Sequence, residues 1–266
     1  LELNLKEVWR YRDLVLLFVK RDFIAQFKQT ILGPVWHLVQ PILTTLMFLL
    51  IFTRIARIST DGIQPTLFYM SGITIWNYFS TSLTGTSSTF VTNAPIFGKV
   101  YFPRLVLPIS IIISNIIRFG IQFLLLLAVM IYYSFNGYPI VFSINWLIIP
   151  VVILMMAGIG LGLGIIISSL TTKYRDFSVL LTFAVQLGMY ATPIAYPLSF
   201  LEDKSYKWLI VANPLTPLVE AFRYGLFGKG TFDLHSLGYS LAFMLIVLFS
   251  GIIIFNRVEK NFMDTV

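Results

Sequence analysis

Apolar stretches, each close to the length a helix needs to cross a bilayer, alternate with short polar breaks along this chain. They run over 35–53, 66–91, 105–134, 146–170, 177–197 and 235–255. About 20 residues of helix traverse roughly 30 Å of hydrocarbon. Backbone groups in hydrocarbon find partners only within their own helix. The pattern therefore predicts an all-α integral membrane protein with six transmembrane helices, in a domain covering 33–266.

The residues before the first span, 1–32, form a region of their own. Phe23, Phe27 and Ile31 recur at every fourth position with Ile24 beside them, while Arg21, Lys28 and Gln29 fall largely elsewhere. One apolar face and one basic face predict an amphipathic helix lying in the membrane interface. A soluble helix packed on a partner would carry the same pattern. The apolar run at 14–19 is short and followed by Lys20-Arg21-Asp22, which is not the pattern of a cleavable leader. Gly33-Pro34 then breaks the helix and turns the chain into the membrane. Between spans five and six, 208–211 and 218–227 are apolar but interrupted by Asn213-Pro214 and Pro217. They are too apolar for a solvated loop and too short to span. They predict two short helices re-entering the outer leaflet, with protein covering their ends.

Charge orients the spans. Twelve lysines and arginines fall before span one, after span six or in the breaks after spans two and four; six fall on the other side. The positive-inside rule places both termini in the cytoplasm. The net charge of +7 is thus a topology signal; no soluble basic domain exists to bind nucleic acid. Only 12% of residues are charged, about half the share of a soluble domain. With no cysteine, disulfides, thiolate metal sites and cysteine catalysis are excluded.

The spans carry little reactive chemistry. No carboxylate lies inside any span, the two histidines fall on opposite sides, and no Ser-His-Asp set or acidic metal motif is present. No catalytic or metal-ligating residue is assigned. Gly158, Gly160, Gly162 and Gly164 lie mid-span without the strand-to-helix setting of a nucleotide loop. Their spacing of four instead predicts close helix packing in lipid. Arg118 falls near the middle of span three, where a charge must face protein or water; Asn115 and Gln122 lie in reach of it. Spans two and five are rich in rings, among them Trp76, Tyr78, Phe183, Tyr190 and Tyr196. Such rings serve as core, or as a wall over which a polar chain slides without a deep trap.

Five stretches carry a family resemblance: Leu32-Gly33-Pro34-Val35-Trp36-His37-Leu38-Val39-Gln40-Pro41, Tyr101-Phe102-Pro103-Arg104-Leu105, Tyr174-Arg175-Asp176, Thr192-Pro193-Ile194-Ala195-Tyr196-Pro197, and Asn213-Pro214-Leu215-Thr216-Pro217 running on to Glu220 and Arg223. In this order they resemble the transmembrane subunit of type-2 ABC exporters, most closely the permeases for lipid-linked O-antigen, capsule or teichoic-acid polysaccharides. The resemblance implies a bacterial inner-membrane protein, paired with a second copy of itself and two separate ATPase subunits. ATP and Mg would then sit on the ATPase, with no cofactor in this chain. It also implies an undecaprenyl-diphosphate-linked polysaccharide as cargo. Its diphosphate would be drawn by Arg10, Arg12, Lys20, Arg21 or Lys28, cations near a headgroup plane being worth about 1 kcal/mol each. Coupling to the ATPase would fall to Phe97, Lys99, Tyr174, Arg175 and Asp176. A permease for a small hydrophobic drug would share the fold, and a membrane enzyme acting on polyprenyl lipids would share the apolar spans.

The orientation is open to a direct check. In intact cells, Ser205→Cys is expected to react with an impermeant thiol reagent, and Asn256→Cys only after the inner face is opened. Labelling of Asn256→Cys in intact cells would overturn the topology.

Overall fold

The computed structural model describes residues 5–28, 33–97, 102–138, 143–171, 174 and 176–262, and every regular element among them is helical. In chain order these are α1 (Leu5–Arg10), α2 (Arg12–Phe27), α3 (Trp36–Phe48), α4 (Pro65–Ser87), α5 (Thr89–Phe97), α6 (Val106–Phe135), α7 (Ile148–Thr171), α8 (Phe177–Tyr190), α9 (Lys207–Val211), α10 (Thr216–Phe227) and α11 (Leu234–Phe262). A wider π-turn, Leu49–Ile55, extends α3, and short 3-10 turns precede α3 and α7. Among the described residues, four segments are both long and apolar enough to cross a membrane: Trp36–Ile55, Val106–Phe135, Ile144–Thr171 and Leu234–Arg257.

The other two expected spans differ for physical reasons. Helix α4 has the length but not the apolarity, because hydroxyls stud it. It is nevertheless central, packed by α3, α6, α7, α8 and α10, with Leu67, Tyr69 and Ile75 fully buried. Its hydroxyls turn back onto their own helix: Ser71 donates to Phe68 O (2.9 Å), Thr81 to Asn77 O (2.6 Å), Thr84 to Ser80 O (2.7 Å) and Ser87 to Thr84 O (2.7 Å). A buried helix can carry this many hydroxyls where most of them close on a local carbonyl, although those of Thr74 and Thr86 find no partner among the described residues. Span two also stops earlier than expected: α4 ends at Ser87, and Thr89–Phe97 is a separate helix. Span five, expected to run to 197, stops at Tyr190. Pro193 restricts Thr192 and bars a continuing helix. At 1.5 Å per residue, the 14 residues of α8 reach only about 21 Å.

The apolar face expected to lie in the membrane interface was that of Phe23, Ile24, Phe27 and Ile31; which residues of α2 pack inward was not read from the sequence. The buried residues of α2 are Val15, Phe18 and Val19, set against Phe102, Leu105, Val106 and Leu107 at the start of α6. Leu16, Leu17 and Ile24 face outward. Ile31 and the side chain of Phe27 lie outside the described residues.

The glycines of α7 sort by face. A methyl at Gly158 would stand 2.5 Å from Met244 Sδ, and one at Gly162 would stand 2.8 Å from the backbone nitrogen of Leu248, both on α11. On the other face, one at Gly164 would meet Thr86 Cβ at 2.5 Å, and Gly160 lies against Ser82, both on α4. Two rows of glycines thus let α7 approach two neighbours at once.

Gly162→Ala must push against main chain, so it is expected to lower stability by about 1–3 kcal/mol. Gly120→Ala in α6 meets nothing within 4 Å, and it is expected to be neutral or stabilising. Thermal unfolding of both detergent-solubilised variants checks this; equal Tm values would remove the packing role of Gly162.

Candidate functional site

Two places gather chemistry: the end of the helix bundle where the chain after α8 meets α10, and a polar cavity beside α2.

At the first of these, 216–227 is helical and almost wholly buried. Asn213 starts it. Its Oδ1 accepts from Leu215 N (3.0 Å), and its amide donates to Ala191 O (2.9 Å) and Thr192 Oγ1 (3.0 Å). Thr216 donates to Ile210 O (2.6 Å). Gly228, at φ +64°, ends the helix by donating to Tyr224 O. Within α10, Arg223 is 1% exposed. It donates to Pro193 O (2.5 Å), Ile194 O (2.9 Å) and Glu220 Oε1 (3.3 Å), and it stacks on Phe68 of α4 at 3.6 Å. Glu220 in turn accepts from the Thr231 hydroxyl (3.2 Å). The charge count alone reads Glu220 and Arg223 as ordinary charges of an outer segment; the fold makes them an internal pair. Asp233, exposed at the start of α11, accepts from the hydroxyl and N–H of Ser236, which hold its carboxyl below the usual range.

The rings expected to form a path fall into two groups. Trp76 and Tyr78 belong to the core: Trp76 is 4% exposed and abuts Gly188 of α8, and Tyr78 packs on Phe119 (5.4 Å). Phe183 and Tyr190 lie on the outward face of α8, 61% and 53% exposed, with Leu180 and Leu187. Tyr196, half-buried, donates to Tyr190 O (2.8 Å) and ties the following turn to the end of α8.

At the opposite end, Arg10, Arg12, Lys20 and Lys28 are exposed on or beside α1 and α2. Arg21 is half-buried and paired with Asp22 (2.7 Å). Arg118 donates to Asn115 (3.1 Å). Gln122 instead accepts from Asn77 (3.4 Å). Arg21, Asp22, Asn115 and Arg118 line one polar cavity between α2, α4, α5 and α6. The i, i+3 spacing of Asn115 and Arg118 was a usable signal; Ser114 and Thr81, which also line it, were not foreseen. Of the residues expected to couple to a partner, Tyr174 is exposed near Phe177 (6.3 Å) and Asp176 is exposed at the start of α8. Lys99, Arg175 and the side chain of Phe97 lie outside the described residues.

A family model described as ABC-2 type transporter matches residues 13–227. The chain belongs to the ABC-2 type transporter family. The match takes in α2 through α10, so both the Arg223 clamp and the cavity lie within this transporter domain. The chain is also similar, nearly end to end, to curated relatives. It is 29% identical over 255 residues to the O-antigen export system permease protein RfbA of Klebsiella pneumoniae, covering 95% of this chain and 94% of the relative. It is 27% identical over 264 residues to RfbA of Myxococcus xanthus, covering 98% of each. It is 22% identical over 258 residues to the capsule polysaccharide export inner-membrane protein CtrC of Neisseria meningitidis, covering 91% of this chain and 89% of the relative. In this ABC-2 transporter, two of the stretches that carry the resemblance, 192–197 and 213–223, are bonded to each other through Asn213 and Arg223.

Arg223→Met would leave Glu220 charged and buried without its cation, and Pro193 O and Ile194 O without their donor. A loss of about 3–5 kcal/mol is expected. Glu220→Gln/Arg223→Met, which removes both charges, is expected to recover part of it. Thermal unfolding of purified protein checks both; an Arg223→Met variant as stable as the parent would mean that the clamp is dispensable.

Proposed function

We propose that this ABC-2 transporter is the permease subunit of an exporter for lipid-linked polysaccharide. The observation that carries this reading is the near-full-length similarity to O-antigen permeases of two organisms and to a capsule exporter. Six crossings would be made by α3 with its π-turn, α4, α6, α7, α8 with its following turn, and α11, both termini being cytoplasmic in the bacterial inner membrane. Two copies would pair with two ATPase subunits, which hold the ATP and Mg. Phe97, Lys99, Tyr174, Arg175 and Asp176 would form the coupling turns. Undecaprenyl diphosphate would carry the cargo and meet the cations of α1 and α2. The N-terminal region 1–32 would lie in the interface, ahead of the transport domain 33–266.

The fold supports a wall for such a chain. Helix α8 has no charged residue, packs mainly on α4 and α7 among the described residues, and turns Leu180, Phe183, Leu187 and Tyr190 outward. We read this face as the side turned to the second copy, with the path between them. Flat rings meet sugar C–H faces without dependence on register, which suits a sliding chain.

Exposed rings can be removed without opening the core, unlike Trp76. One ring contact is worth about 0.5–1.5 kcal/mol, so Phe183→Ala and Tyr190→Ala are each expected to slow export roughly two- to tenfold. The double variant is expected to shorten or abolish surface polysaccharide, read on a gel ladder with insertion verified. A pocket for a small drug would concentrate the loss in one ring. Normal ladders in the double variant would refute the aromatic wall.

A further inference from the structure

Arg118 stands on α6 with a single hydrogen-bond acceptor among the described residues, the Asn115 side chain. A guanidinium carries five N–H donors, so most of its capacity is unused. It lines a half-enclosed cavity of about 240 Å³ with Arg21, Asp22, Thr81, Ser114 and Asn115. Ser114, which lines the same cavity, is 3% exposed, and its buried hydroxyl has no partner among the described residues. A buried hydroxyl without a partner and a cation matched only to an amide are both costly within a bilayer. One group would satisfy both: an anion with several acceptor oxygens.

The electrostatics point the same way. Two guanidiniums face one carboxylate, and that carboxylate is already engaged by Arg21 through two N–H donors at 2.9 and 2.7 Å. One positive charge is left over, on Arg118. Arginine's planar fork matches phosphate, which presents oxygens to two donors on one side and a hydroxyl on another. The cavity lies behind α2, whose outward residues Leu16, Leu17 and Ile24 offer a surface for acyl or prenyl chains.

We propose that this cavity binds the phosphate group of a membrane lipid headgroup, with Arg118 and Ser114 as its ligands and Asp22, held by Arg21, as the neighbouring anion whose charge opposes that binding. That the headgroup arrives from the cytoplasmic leaflet rests on the orientation proposed above. The binding itself does not, and it is tested without transport.

The test uses the full chain in a phosphate-free maltoside detergent, with intrinsic tryptophan fluorescence as the readout and farnesyl diphosphate as the probe. Farnesyl diphosphate is expected to bind and farnesol is not. Arg118→Gln is expected to weaken binding at least tenfold. Ser114→Ala, which removes an unpartnered buried hydroxyl and so does not endanger folding, is expected to weaken it severalfold. Asp22→Asn removes the competing carboxylate and is expected to tighten it severalfold, a change that a merely structural Arg21–Asp22 pair would not produce. Inorganic diphosphate binding as tightly as farnesyl diphosphate would overturn the lipid assignment in favour of a soluble anion. Unchanged affinity in both Arg118→Gln and Ser114→Ala would overturn the site. Either result leaves the export reading standing, since export is scored separately on surface polysaccharide.

Discussion

The guanidinium of Arg223 joins three parts of the chain that are far apart in sequence. It takes the carbonyls of Pro193 and Ile194, which follow α8, lies on the ring of Phe68 near the start of α4, and pairs with Glu220 one turn back on its own helix. None of these groups reaches water, so each depends on the others for its partner. A carbonyl freed by the end of α8 has no helical acceptor role left, and a short buried helix such as α10 has open ends. One planar cation answers both needs. The turn after α8, the seat of α10 and the start of α4 are consequently joined through one side chain, with Asn213 adding a second tie between the turn and α10.

The same demand for internal partners explains what could and could not be read from the chain. Length and apolarity sufficed for α3, α6, α7 and α11, whose observed limits lie close to those expected. The glycine spacing in α7 was legible because steric approach is local to a helix face. The helix at α4 was legible too, starting where expected, but its end was overrun, because apolar character runs on past Ser87 into the separate helix α5. The end of α8 was overrun because apolar character continues past Tyr190 while the backbone cannot. The packing face of α2 was missed for a different reason: its outward residues are as apolar as its inward ones, and only the position of α6 decides between them.

Site residues follow the same division. Asn115 and Arg118 are joined by helical periodicity and could be paired on paper. The cavity they line is assembled from α2, α4, α5 and α6, and no spacing in one segment encodes it. The rings of spans two and five looked alike in composition, yet the fold separates Trp76 and Tyr78, which are interior, from Phe183 and Tyr190, which are outward. Burial is a property of the neighbours, so residue type alone cannot distinguish packing rings from available ones.

The shortness of α8 carries a consequence for the solvation barrier. Its 14 residues cover about 21 Å, against roughly 30 Å of hydrocarbon. Beyond Tyr190 the chain continues as a turn in which Tyr196 donates to Tyr190 O and the buried Thr192 accepts from the amide of Asn213. On the path proposed above, a hydrated chain moving along this helix would shed its water over about two-thirds of the membrane's thickness rather than all of it. Lipid abutting the same helix would meet the mismatch by thinning locally.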